Sequence, residues 1–101
     1  MTITKKQNAA ALDLALEGRL DTTTSPGLEQ LLKDYLGGVT ELTFDLEKLE
    51  YISSAGLRVL LSAQKTMNKQ GSMKLRNVSE TIMEIFEVTG FSDILTIENE
   101  G

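Results

Sequence analysis

The hydrophobic pattern of this chain predicts a small α/β domain: a mixed, mostly parallel sheet of four to five strands with helices packed against it. Three observations lead there. Segments of period-two alternation recur along the chain, helix-length stretches of period 3.6 lie between them, and Ser and Gly residues stand at the helix ends. Strands that alternate with helices of this length become parallel neighbours joined by right-handed crossovers. Two strands in succession at the start add one antiparallel partner and make the sheet mixed.

The elements follow in order. Residues 3–6 are compatible with a short first strand. Residues 11–17 alternate well, with Leu12, Leu14 and Leu16 on one face and Asp13 and Ala15 on the other. Gly18 then opens a predicted loop, Gly18-Arg19-Leu20-Asp21-Thr22-Thr23-Thr24. Ser25 is the expected N-cap of the first helix, because its hydroxyl can accept from an orphan backbone N–H. Pro26 then suits the first helical position, where a missing N–H costs nothing. Leu28, Leu31, Leu32, Tyr35 and Leu36 form its apolar stripe, and Gly37-Gly38 ends it. Residues 41–46 alternate again, with Leu42, Phe44 and Leu46 on the buried side, and residues 49–52 read as a short apolar connection. Ser53-Ser54 precedes a second helix over residues 55–69, with Leu57, Leu60, Leu61, Gln64 and Met67 inward. A strand is expected over residues 73–76. Ser79 caps a third helix that carries Ile82, Ile85 and Phe86 inward and stops at Gly90. A last apolar piece over residues 94–97 leads to an acidic tail, residues 98–101, expected to be frayed and solvated.

Composition removes many functions. The 101 residues fit a single domain, residues 1–101, and suffice for one ordinary core. No Cys means no disulfide, thiolate nucleophile, iron–sulfur cluster or zinc finger. No His means no Ser-His or Cys-His pair, and the usual nitrogen ligand for metals is missing. No metal and no cofactor are expected. A net charge of −5, with the basic residues scattered among acids, argues against direct nucleic-acid binding. No segment reaches the roughly 18 apolar residues of a membrane helix, so membrane insertion is not expected. The first eight residues are polar where a signal peptide would be apolar, so a soluble cytoplasmic protein is expected.

The informative stretch is Ile52-Ser53-Ser54-Ala55-Gly56-Leu57-Arg58-Val59-Leu60-Leu61. Two serines stand where a strand has ended and a helix begins. In open α/β sheets the crevice beyond the strands' carboxyl ends is where ligands and partners bind. A hydroxyl there is exposed above unpaired backbone N–H groups that favour an added anion, phosphate included. Capping alone also explains the serines, since Ser is a preferred N-cap at any helix start. Gly56 costs a helix about 1 kcal/mol relative to Ala, which implies a packing or close-approach reason. Leu57 reads either as a rim contact or as core, and Arg58 as a rim contact or a solvated side chain. Thr22, Thr23 and Thr24 either line the same surface as Asp21 or form a tolerant turn.

The decapeptide resembles the signature of the STAS domain, in particular that of the bacterial anti-sigma factor antagonists. Gly18-Arg19-Leu20-Asp21 is similar to the family's Gly-x-Leu-Asp turn before the first helix. Leu75-Arg76-Asn77-Val78-Ser79 and Phe86-Glu87-Val88-Thr89-Gly90-Phe91 match its later elements in type and order. The resemblance covers essentially the whole chain, and the two short motifs stand at the family's separation. It implies a partner switch with no catalysis of its own. The unphosphorylated protein binds an anti-sigma factor that is also a serine kinase, and a sigma factor is released. The kinase then phosphorylates one Ser at the helix start, and a PP2C-type phosphatase resets the cycle. By the family's register the acceptor is Ser54, with Ser53 as the secondary candidate. Asp21 falls on the kinase-contacting Asp, and Thr22, Thr23, Ser53, Ala55, Gly56, Leu57 and Arg58 make up the implied partner surface. The family often has Asp directly before the acceptor, and this chain has Ser53. STAS domains also serve as accessory subunits of membrane phospholipid-transport ATPases, which is the alternative function. A serine hydrolase is disfavoured, because the chain lacks His and a Gly-x-Ser-x-Gly elbow.

Overall fold

In the computed structural model, residues 1–98 are described. Strand β1 (Thr2–Asn8) runs antiparallel to β2 (Ala11–Leu20). Helix α1 (Ser25–Tyr35), β3 (Glu41–Ile52), α2 (Ser54–Gln70), β4 (Ser72–Arg76) and α3 (Glu80–Thr89) follow. A 3-10 turn, Phe91–Asp93, leads to the two-residue strand β5 (Ile97–Glu98). The sheet order is β1-β2-β3-β4-β5, with every pair after the first parallel. Among the described residues this is the mixed, mostly parallel sheet expected, with five strands and three helices.

Each new parallel strand is added on the same side of the sheet. Right-handed crossovers, nearly universal in such units, then put all three helices over one face. Burial follows that rule. Leu12, Leu14, Leu16, Leu42, Phe44, Leu46, Met73 and Leu75 are buried. Leu28, Leu32, Leu60, Met67, Ile82 and Phe86 complete the core from the helices. Each such side chain contributes about 1.5–3 kcal/mol on burial. Alternate strand positions such as Asp13, Glu17 and Arg76 are exposed.

Several expectations need correction. β2 does not end before Gly18; it continues through Gly18 and Arg19 to Leu20. Residues 49–52 are not a connection but the end of β3, paired through Leu20↔Ile52. The reason is two register shifts, between Ala15 and Glu17 and between Gly18 and Arg19. Across them β3 advances from Asp45 to Lys48 and from Leu49 to Tyr51, one residue more than β2 each time. Bulges of this kind break the period-two pattern. Gly18 has φ +102 beside the second shift, a conformation that Gly adopts without strain. Asp45 supports the first shift, because its Oδ1 accepts from Glu47 N and from Asn77 Nδ2, both at 3.1 Å.

Ser25 is not the cap of α1. Thr24 holds the N-cap position, Ser25 is the first helical residue, and its hydroxyl is buried without a hydrogen-bond partner among the described residues. Tyr35 is 40% exposed, with Lys5 Nζ 4.0 Å from its ring centroid, and it does not join the stripe of Leu28, Leu32 and Leu36. Ser79 does cap α3, accepting from Ile82 N, and Gly90 closes the helix at φ +81. Ile94 is half exposed, and only Leu95 and Ile97 of the last apolar piece pack inward. Glu98 lies in β5, and the rest of the expected frayed tail, residues 99–101, lies outside the described residues.

Candidate functional site

The long strands β2 and β3 carry two separate sequence motifs to one end of the sheet. Ser53 N donates to Leu20 O at 2.9 Å, which joins the start of α2 to the end of β2 one residue before Asp21. α2 can come this close only because residue 56 is Gly. A methyl group there would lie 2.7 Å from Leu20 Cγ, 2.8 Å from Ile52 Cγ1 and 2.9 Å from Leu20 O. The glycine in the signature therefore has a packing reason, as its helix cost implied.

The two serines occupy different positions. Ser53 is the N-cap of α2, with extended backbone (φ −94, ψ 176). Its carbonyl accepts from Leu57 N at 2.9 Å and its Oγ accepts from Gly56 N at 3.4 Å. It is partly buried. Ser54 is the first helical residue, is exposed, and its hydroxyl has no partner among the described residues. An unbonded hydroxyl at the first turn of a helix lies beside backbone N–H groups that favour negative charge.

Asp21 organises the neighbouring turn. Its Oδ1 accepts from Thr23 N at 3.0 Å and Thr24 N at 3.1 Å, and its carbonyl accepts from Ser25 N at 2.8 Å. The Thr24 hydroxyl donates to Arg19 O at 2.8 Å, accepts from Asp21 N at 2.9 Å and lies 3.3 Å from Asp21 Oδ1. The Thr24 N–H holds the Asp21 carboxyl below its ordinary pKa of 3.8. Partial desolvation opposes this, while the Thr23 N–H, the Thr24 hydroxyl and the Arg19 charge add to it. Thr22 and Thr23 are exposed beside it.

The structure thus brings Asp21, Thr22, Thr23, Ser53, Ser54 and Ala55 to one end, with Arg58 exposed one turn along α2. Leu57 is 6% exposed and belongs to the core, and Gly56 is buried as well. The core reading of Leu57 holds, and the rim reading is corrected. Two residues were missed. The Arg19 guanidinium lies 4.4 Å from the Tyr51 ring centroid, and its Nε is 3.9 Å from Asp21 Oδ2. Arg19 and Tyr51 are register partners in β2 and β3. The signal was the even-numbered run Leu12, Leu14, Leu16, Leu20, which continues the strand past Gly18.

The STAS domain family matches residues 2–100. The chain belongs to the STAS domain family. The anti-sigma-B factor antagonist of Bacillus subtilis is 33% identical over 99 residues, 95% of this chain and 91% of that one. Among solved structures, an anti-sigma factor antagonist from Mycobacterium paratuberculosis superposes with a TM-score of 0.85 at 20% identity, covering 95% of this chain and 83% of that one. The Bacillus cell fate determinant SpoIIAA in its phosphorylated form gives 0.78 at 18% identity, covering 99% and 92%. These two likenesses establish the fold that this STAS chain shares with them. Among the described residues no helix is long and apolar enough to cross a membrane.

Proposed function

We propose that this STAS chain is an anti-sigma factor antagonist. Its unphosphorylated form binds an anti-sigma factor serine kinase in the bacterial cytoplasm and so frees a sigma factor. Modification of Ser54 ends the binding, and a PP2C-type phosphatase restores it. The observation that carries this reading is the contrast between the two serines: Ser54 offers an exposed, unbonded hydroxyl, and Ser53 has its hydroxyl engaged in the helix cap. Phosphorylating Ser53 would remove a cap worth about 1 kcal/mol, whereas Ser54 has none to lose. The relatives' names support the partner class.

The chain supplies an acceptor and the kinase supplies the chemistry. Ser54 Oγ attacks the γ-phosphorus of ATP, the bond from that phosphorus to the bridging oxygen breaks, ADP leaves, and the hydroxyl proton passes to a base on the kinase. The product carries about −1.5 to −2 charges, strongly hydrated, at the end of the sheet that also carries Asp21, Thr22, Thr23, Ala55 and Arg58. Desolvating that group against a partner, and its repulsion of nearby acids, weakens the complex. The test is incubation with the co-encoded kinase and ATP, followed by mass spectrometry. One phosphoryl group on Ser54, absent in Ser54→Ala and retained in Ser53→Ala, is expected. Modification of Ser53, or no modification, would overturn the assignment.

A further inference from the structure

We propose that Arg58 is an intramolecular counter-ion for a phosphoryl group on Ser54. Modification then adds charge at the head of α2 and also withdraws Arg58 from the surface offered to a partner. The inference rests on Ser54 being the phosphoacceptor.

Ser54 opens α2 and Arg58 lies four residues further on. Residues at i and i+4 of a helix stack on one face, with Cβ atoms about 5–6 Å apart. Helical side chains lean toward the N-terminus, so Arg58 reaches back over the turn that presents Ser54. Both residues are exposed.

Among the described residues no acid is paired with the guanidinium. The first turn of α2 holds no acid. Among the described residues Arg58 has no ion pair, hydrogen bond or ring contact. Arg19, the other arginine at this end, is engaged by the Tyr51 ring and the Asp21 carboxylate. The planar fork of Arg58 matches a phosphoryl group through two parallel N–H···O bonds, a geometry Lys lacks. Without the phosphoryl group the guanidinium stands in solvent, available to an acidic side chain of a partner. With it, the guanidinium is held within the chain. The switch therefore has two parts, a charge added and a contact withdrawn.

The test installs phosphoserine at position 54 of the full chain by codon-directed incorporation. Its phosphorus NMR signal is then followed from about pH 4 to 8, across the second ionisation near 6. A neighbouring cation favours the dianion. The midpoint of the native sequence is expected below that of Arg58→Gln by a few tenths of a pH unit, about a twofold to fourfold change in ionisation constant. Arg58→Lys should keep part of the shift, and Arg19→Gln should keep all of it. Superimposed curves for the native sequence and Arg58→Gln would overturn the counter-ion, as would loss of the whole shift in Arg19→Gln. Because the phosphoserine is built in, these results stand apart from the kinase assay, whose failure would remove the Ser54 assignment instead.

Discussion

Ser53 and Ser54 have the same side chain and adjacent positions, yet the helix start makes them unlike. One turns its oxygen to the Gly56 N–H and the other leaves it free. Gly56 shows how closely that start is set. Ala would gain about 1 kcal/mol of helix propensity, but its methyl group would press on the Leu20 carbonyl as well as on two side chains. Backbone cannot yield as a flexible side chain does, and overpacking costs about 1–3 kcal/mol. Gly56→Ala is therefore expected to lower stability by about 1 kcal/mol net, some 4–8 °C in a thermal melt; a rise in Tm would refute the close approach. Asp21 gives a pH signature. Its pKa is lower folded than unfolded, so its contribution is fully present above the unfolded value of 3.8 and is lost as pH falls through the folded value. Urea midpoints of the native chain should drop over that acid range. Asp21→Asn, which keeps an oxygen for the Thr23 and Thr24 N–H groups, should be flatter there, and equal slopes would contradict the assignment.

The β1–β2 hairpin closes on Ala9 and Ala10, and Ala9 takes φ +55. A left-handed backbone costs a residue with a Cβ about 1–2 kcal/mol, and Gly avoids that cost while losing more entropy on folding. Ala9→Gly is accordingly expected to raise stability by about 0.5 kcal/mol, seen as a higher melting temperature. A fall would mean that Ala9 does not hold this conformation. The same two strands show where pattern reading works. Leu12, Leu14 and Leu16, then Leu42, Phe44 and Leu46, alternate because each side chain meets the helices on every second residue. Leu46, Leu49 and Ile52 are spaced by three because β3 advances by an extra residue at two places against β2. A spacing of three mimics a connection or a helix turn, so the end of β3 was illegible, and with it Tyr51 as the register partner of Arg19.

The helices sit together because every crossover adds its strand on the same side, and that arrangement gathers the ends of β2 and β3 with the start of α2. The candidate site is thus a corner built on the core, with Leu57 buried beneath it. Ser54 lies outside that core, so Ser54→Asp is expected to melt within a few degrees of the native chain while losing kinase binding. Collapse of the circular dichroism signal or a large fall in Tm would show that the switch works through the fold and not through the interface. Local rules, read along the chain, were enough for the three helices and for the caps at Ser79 and Gly90, since periodicity and capping depend on near neighbours, and the short motifs around Gly18 and Ser54 carried the resemblance to the STAS family. The cap at Thr24, the length of β3, the burial of Leu57 and the free hydroxyl of Ser54 beside an engaged Ser53 became visible only in the folded chain. Each depends on which surface meets which across distant parts of the sequence, and register and close approach are settled by those contacts.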